Sequence, residues 1–243
     1  MLFIETPSNP LLRVTDIQAV SELAKQHQLL TVVDNTFMTP YYQTPLTLGA
    51  DIVVHSATKY LGGHSDVVAG LVAVNNDDLA ERIGFIQNST GGVLGPQDSY
   101  LLVRGIKTLG LRMDQIERNA LAVVEMLNQH QNVKAVYHPS LTTHLNYEIH
   151  QAQADGTTGI VSFEVSDVEK AKYLVKQTQY FTLAESLGAV ESLISVPSLM
   201  THASIPADVR AKEGIADGLV RLSLGIEDTN DIVADLKQTL DQL

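Results

Sequence analysis

Apolar residues along this chain fall into short runs and spaced repeats. Met1-Leu2-Phe3-Ile4, Leu29-Leu30-Thr31-Val32-Val33, Ile52-Val53-Val54 and the run from Ala69 to Val74 are brief and largely β-branched or leucine-rich, the pattern of buried strands. Between the first two, Val14-Thr15-Asp16 opens a helix whose apolar face is Ile17, Val20, Leu23 and Ala24, with Asp16 placed to cap it. Strand, helix, strand at this spacing is a βαβ unit, which implies a parallel sheet with a right-handed crossover.

Residues 35 to 50 read as a loop-rich link containing Pro40 and Pro45. A helix is predicted from Asp77-Asp78 to about Ile86, then a flexible turn at Gly91-Gly92-Val93-Leu94-Gly95-Pro96. From Gln97 to about His130 the period is helical, through Leu101, Ile106, Leu109, Ile116, Ala120, Val123 and Leu127, with Gly105 and Gly110 interrupting it. The second half reads as strand (Val133 to Tyr137), irregular linker (138 to 158), strand (Ile160 to Val165), helix (Asp167 to Thr178), strand (Ser192 to Val196), loop (200 to 206), strand (Leu219 to Leu224) and a closing helix from about Thr229. Strands carrying helices on one side make a compact α+β unit. The change of organisation falls near residue 110, giving domains 1–110 and 111–243.

Composition narrows the classes. With 243 residues and 44% hydrophobic content the chain suits one large or two modest globular domains. No apolar run approaches a membrane span. The net charge of −12, from 16 basic and 28 acidic residues with no basic cluster, argues against nucleic acid as a partner. There are no cysteines, hence no disulfide or thiolate metal site, as fits a cytoplasmic protein. The histidines, among them His55, His64, His138, His144, His150 and His202, show no His-Glu-x-x-His spacing, and no metal is expected.

Two strand ends carry the candidate chemistry. The strand at Ile52–Val54 runs out into His55-Ser56-Ala57-Thr58-Lys59-Tyr60, and the strand at Leu29–Val33 into Asp34-Asn35-Thr36. Ligands of open α/β sheets bind beyond the carboxyl ends of the strands. Hydroxyls and an amine at one end and a carboxylate at its neighbour fit pyridoxal phosphate (PLP), which needs a lysine for its aldehyde and an acid beside its ring nitrogen. Alone, each has a plainer reading: a solvated lysine, a turn-capping aspartate, turn-forming Ser and Thr.

Several segments taken together resemble one family. Glu5-Thr6-Pro7-Ser8-Asn9-Pro10, Val33-Asp34-Asn35-Thr36-Phe37, Ser56-Ala57-Thr58-Lys59-Tyr60 with Gly62-Gly63-His64-Ser65-Asp66, and Ala184-Glu185-Ser186-Leu187-Gly188 are similar, in order and spacing, to the Cys/Met-metabolism PLP enzymes: cystathionine γ-synthases, γ- and β-lyases and methionine γ-lyases. The resemblance implies an α/β fold of the aspartate-aminotransferase-like type (fold type I): a large domain with a mainly parallel sheet, then a small α+β C-terminal domain. It implies that Lys59 forms the Schiff base with PLP and shuttles protons, that Asp34 pairs with the pyridine nitrogen, that Ser56 and Thr58 bind the phosphate, and that Asn9 approaches the ring oxygen. Arg221, a guanidinium inside an apolar strand that demands a partner, would pair with the substrate carboxylate, helped by Ser186. Glu185 would meet the distal ammonium of a cystathionine-like substrate.

The implied activity is carbon–sulfur lysis or γ-replacement on cystathionine or an activated homoserine, in a homo-oligomer. The alternative is a fragment that folds and associates without catalysis. The family's members carry a segment upstream of the Glu-Thr-Pro-Ser-Asn-Pro motif, with a phosphate-binding turn and a ring-stacking tyrosine. The chain therefore reads as the C-terminal two-thirds of such an enzyme, and weak PLP binding and poor turnover are expected of it.

Overall fold

The computed structural model describes residues 1–243. The elements in order are β1 (Leu2–Glu5), α1 (Ile17–Gln26), β2 (Thr31–Asp34), α2 (Thr39–Tyr42), β3 (Ile52–Ser56), β4 (Gly70–Val74), α3 (Asp77–Thr90), α4 (Pro96–Ile106) and α5 (Leu109–Gln129). Then follow β5 (Ala135–Tyr137), α6 (Tyr147–Gln153), β6 (Ile160–Glu164), α7 (Val168–Gln177), β7 (Thr182–Leu183), β8 (Leu193–Ser195), α8 (Ala207–Lys212), β9 (Leu219–Ser223) and α9 (Thr229–Leu240).

The helices start where short polar side chains satisfy the first free N–H groups. Asp16 accepts from Ala19 N at 2.9 Å, Asn76 from Leu79 N at 2.9 Å, and Asp167 from Lys170 N at 2.9 Å. Asp228 does the same for α9.

The strands form two sheets. The first has the order β1-β2-β3-β4; β1, β2 and β3 are parallel, and β4 returns antiparallel to β3. The second has the order β5-β6-β9-β8-β7 and is antiparallel except for the β7–β8 pair. The first sheet's parallel order puts the ends of β1, β2 and β3, and so Glu5, Asp34 and Ser56, along one edge.

Two large apolar clusters hold most of the chain together. One joins the second sheet to α5, α7 and α9 through Phe163, Val220, Leu222, Leu174 and Leu236. The other collects Phe37, Met38, Tyr60 and Leu61 from the first half with Leu102, Met113, Ile116, Ile160 and Leu187 from later segments. The loop after β3 is therefore packed from both halves.

The predicted Gln97–His130 helix is two helices. The break lies at Lys107 and Thr108, between the two glycines expected to interrupt the helix. Gly105 lies against the carbonyl of Gly62, and a Cβ there would overlap that oxygen. Gly105→Ala is expected to cost about 3 kcal/mol, the upper end for overpacking, because the obstacle is backbone and cannot rotate away. A lower denaturant midpoint at unchanged m-value would show it; an unchanged midpoint would contradict the packing described.

The segment 138 to 158, expected to be irregular, contains α6. This seven-residue helix is held from outside: His144 Nε2 meets Leu12 O at 2.8 Å, and Asn146 donates to Val14 O at 2.8 Å. Gln153 donates to Thr15 O at 3.1 Å and accepts from Ile17 N at 3.2 Å. A helix that short draws its stability from such contacts. α8 and β7 carry no signal in the sequence, since both are short and without a periodic apolar face.

His138 and His150 are wholly buried in this region. His138 bonds Ser140 Oγ through Nδ1 and Thr158 O through Nε2, and neither His150 nitrogen has a partner. Burial pushes both down to about 4. A histidine depressed in the fold stabilises it above its unfolded value of about 6.5, and this is lost as pH falls through the folded value. For His138 the loss is about 3 kcal/mol between pH 6.5 and pH 4. His138→Gln is expected to reduce the acid slope across that window, with His150 supplying what remains; a denaturation series with the same acid slope as the parent would disprove this.

Candidate active site

The loop after β3 is a compact coil of backbone hydrogen bonds. Lys59 N donates to Ser56 O at 3.1 Å, Gly62 N to Ala57 O at 2.9 Å, and Gly63 N to Lys59 O at 2.7 Å. Tyr60 is buried to 0% exposure beneath it. Arg112 of α5 clamps the loop from behind: it donates to Tyr60 O at 2.7 Å, Gly105 O at 2.9 Å and Thr108 Oγ1 at 3.2 Å. Gly63 has φ +73°, and a Cβ on it would collide with that guanidinium.

On the other side the Ala184–Gly188 segment lies against the lysine's own backbone. A Cβ at Gly188, where φ is +76°, would come 2.8 Å from Tyr60 N and 3.1 Å from Lys59 Cβ. This close approach, and the left-handed φ, are why glycine occupies position 188. It brings Lys59 Nζ to Ser186 Oγ at 3.3 Å. Burial lowers the Lys59 pKa, and the charge of Arg221 lowers it further, so more of the amine is unprotonated and nucleophilic at neutral pH.

Arg221 lies in the middle of β9 and is 2% exposed. Nη1 donates to Asn9 Oδ1 at 3.1 Å; Nη2 donates to Glu185 O at 2.6 Å and Ser186 O at 3.2 Å. No carboxylate is among these partners, and Nε is buried without one. Burial pushes the guanidinium down to about 10, against the opposing pull of Tyr60 and Glu185. A buried cation met only by neutral oxygens is set to receive an anion.

At the end of β2, Asp34 Oδ1 accepts from Thr36 N at 3.0 Å and Thr36 Oγ1 at 2.6 Å. Thr36 Oγ1 in turn accepts from Ser56 N at 2.8 Å. The carboxylate is thus fixed through one oxygen while Oδ2 stays free for a cationic donor. His55, buried beside it, is lowered by burial, with Asp34 acting in the opposite direction.

The structure brings Lys59, Ser186, Arg221 and Asn9 into one chain of hydrogen bonds, while Asp34, Thr36 and Ser56 form a second at the adjoining strand ends. Thr58 is placed differently from its neighbours: its hydroxyl donates to Ala69 O at 3.3 Å and accepts from Ala69 N at 3.0 Å, tying the loop to the start of β4. Glu185 is exposed, and only its carbonyl joins the cluster. His64 turns its Nδ1 to Gly62 O at 2.8 Å and acts within the loop.

Sequence reasoning missed Thr36 and Arg112. Thr36 had a signal, since Asp-x-Thr is a side-chain-closed turn. Arg112 had none, being 53 positions from Lys59 on an otherwise ordinary helix face.

An amine of lowered basicity, a half-committed carboxylate, a free Ser56 hydroxyl and an acid-less guanidinium are the donor set that a phosphorylated pyridine aldehyde and an amino-acid carboxylate require. The comparisons agree. The cystathionine beta-lyase of Lactococcus lactis subsp. cremoris (strain MG1363) is 56% identical over 241 residues, 99% of this chain and 63% of the relative. The cystathionine gamma-lyase of Bacillus subtilis (strain 168) is 54% identical over 100% of this chain and 64% of the relative. Among solved structures, cystathionine gamma-lyase from Lactobacillus plantarum complexed with L-serine superposes with a TM-score of 0.94 at 47% identity, covering 98% of this chain and 63% of that one. Cystathionine gamma synthase from Xanthomonas oryzae pv. oryzae in complex with cystathionine gives 0.96 at 47% identity, covering 99% and 62%. The chain thus spans about 63% of the length of these relatives. A family model described as Cys/Met metabolism PLP-dependent enzyme matches residues 1–241, and on these grounds the chain belongs to that family.

Proposed function

We propose that this chain carries the catalytic lysine and substrate-carboxylate site of a PLP-dependent carbon–sulfur lyase or γ-replacement enzyme acting on cystathionine or an activated homoserine. The observation that carries the reading is the hydrogen-bonded series Lys59–Ser186–Arg221–Asn9, with Lys59 on the loop after β3 and Asp34 at the end of its parallel neighbour β2. The supporting relatives are named as cystathionine lyases and a cystathionine synthase.

Lys59, Asp34, Ser56 and Asn9 would hold the cofactor, while Thr58, expected to join them, has its hydroxyl committed to Ala69 and ties the loop to β4. When bound, PLP supplies an electron sink for the charge left when a substrate carbon gives up its proton. The rest falls to the protein. Lys59 Nζ, less basic than a solvated amine, takes the proton from the substrate Cα and returns it further along the substrate. Ser186 Oγ, 3.3 Å away, keeps the amine aimed. Arg221 takes the substrate carboxylate in place of the neutral oxygens that now share it, fixing which carbon faces the lysine. Asp34, held through Oδ1, offers Oδ2 to a protonated ring nitrogen and favours that form. Glu185, exposed at the rim, suits the distal ammonium of a diamino substrate.

We assign residues 1–110 to the cofactor-binding unit and 111–243 to the linking helix and smaller unit, and place the protein in the cytoplasm. No helix is long and apolar enough to cross a membrane. Self-association is supported by exposed apolar side chains on α3, α4 and α5, where Phe85 is 71% exposed, Tyr100 59% and Leu111 76%. A mass in solution equal to one chain would contradict it.

The deciding experiment uses saturating PLP, borohydride reduction and peptide mapping, beside an assay of thiol release from cystathionine. Label on Lys59 with thiol release supports the reading. Label on another residue, or none, overturns it.

A further inference from the structure

Glu5 ends β1, and the parallel β1–β2 register pairs it directly with Asp34. In-register neighbours of a parallel sheet point to the same face from strands about 4.8 Å apart. Two carboxyl groups are therefore side by side at the strand ends, and the mechanism proposed above uses only one. Asp34 is held by Thr36, while Glu5 is half-buried and in no ion pair. The titratable groups at this edge are Asp34 from β2 and His55 from β3, the latter kept toward its neutral form by burial. Neither offers Glu5 a cation.

We infer that Glu5 is a positioning residue whose proton responds to the charge of Asp34 beside it, so that a cationic ring nitrogen docking on Asp34 draws the proton off Glu5. The inference rests on the reading that Asp34 receives the ring nitrogen of a pyridine cofactor. Its physics is that of two neighbouring carboxyls, which resist double ionisation until a cation joins them. In the unliganded chain Glu5 is raised to about 7, chiefly by burial and then by Asp34, while the Asn9 N–H acts in the opposite sense. A pyridinium on Asp34 would offset the repelling charge and leave the burial in place. Glu5 would then ionise more readily, its proton passing to solvent, and the second carboxylate would add to the field that keeps the ring nitrogen protonated. The charge on the ring would be supported by two acids, one in contact and one behind it.

The test is a proton count. The probe is 4′-deoxypyridoxine 5′-phosphate, which carries the ring and phosphate but no aldehyde, so it forms no bond to Lys59. Its binding enthalpy is measured at pH 6.5 in two buffers of different ionisation enthalpy, for the parent chain and for Glu5→Gln. The parent is expected to release about half a proton more than Glu5→Gln, from a group moved from near 7 toward its ordinary range. Equal proton counts overturn the inference. If the probe binds to neither protein, the cofactor reading has failed by itself. The carboxyl pair is then decided on the unliganded chain by carbon-13 NMR titration of Glu5 in the parent and in Asp34→Asn, which keeps the Oδ1 acceptor for Thr36. A midpoint that falls in Asp34→Asn supports the coupling, and an unmoved midpoint overturns it. A merely structural Glu5 would alter stability without altering either proton count.

Discussion

Lys59→Ala is expected to abolish covalent capture of PLP and to cut thiol release from cystathionine by at least about 10²–10⁴-fold, the range for loss of a positioned proton-transfer group alone. The site leaves no obvious substitute. The guanidinium of Arg221 stays charged at neutral pH, and the buried Arg112 is occupied by three acceptors on the far side of the loop. Lys59→Arg should behave like Lys59→Ala, since it keeps the charge but not the nucleophilic amine. Borohydride-resistant label and residual turnover read the two effects separately. Retained label in Lys59→Ala would show that the reactive amine lies elsewhere, whatever the family likeness.

Arg221→Met should raise KM for an amino-acid substrate far more than it lowers PLP affinity. Truncating one partner of a buried, hydrogen-bonded charge pair costs about 2–5 kcal/mol, roughly 30-fold to several thousand-fold in affinity. Part of this appears as lower stability, because Asn9 Oδ1 and the Glu185 and Ser186 carbonyls lose their donor. Arg221→Lys restores charge but not the fork and should recover only part of the loss. The diagnostic is the split between KM and kcat at a fixed, saturating PLP concentration. A variant with unchanged KM and a reduced kcat would remove the carboxylate from Arg221 and leave it a structural cation.

The two variants also distinguish the halves of the site. Lys59 is presented by the first sheet and Arg221 by the second, and they meet through Ser186. A loss of PLP capture in Arg221→Met equal to that in Lys59→Ala would mean that the Ala184–Gly188 segment had collapsed rather than that a substrate contact was lost. Gly188, set against the lysine backbone, makes that collapse measurable as a common fall in denaturant midpoint.

Much of the site was legible along the chain because strand order carries it. A β-branched run followed by an acid, and another followed by hydroxyls and a lysine, place Asp34 and Lys59 at neighbouring strand ends once the sheet is parallel, and β2 and β3 are parallel neighbours. Arg221 was legible for a different reason: a guanidinium inside Leu219–Ser223 cannot be left without a partner. Local capping was equally readable, as with Asp16, Asp167 and Asp228.

What the linear pattern determined was thus whatever depends on period and neighbours: the strand runs, the helix caps, the parallel βαβ unit and the residue types at the strand ends. The tertiary structure alone decided matters between residues far apart in sequence. It set Gly105 against the Gly62 carbonyl, turned the Thr58 hydroxyl to Ala69, set Arg112 behind Lys59 and laid Glu5 beside Asp34. Periodicity reports which face of an element is buried, but not which atom lies opposite it, and hydrogen-bond geometry and charge coupling depend on that atom.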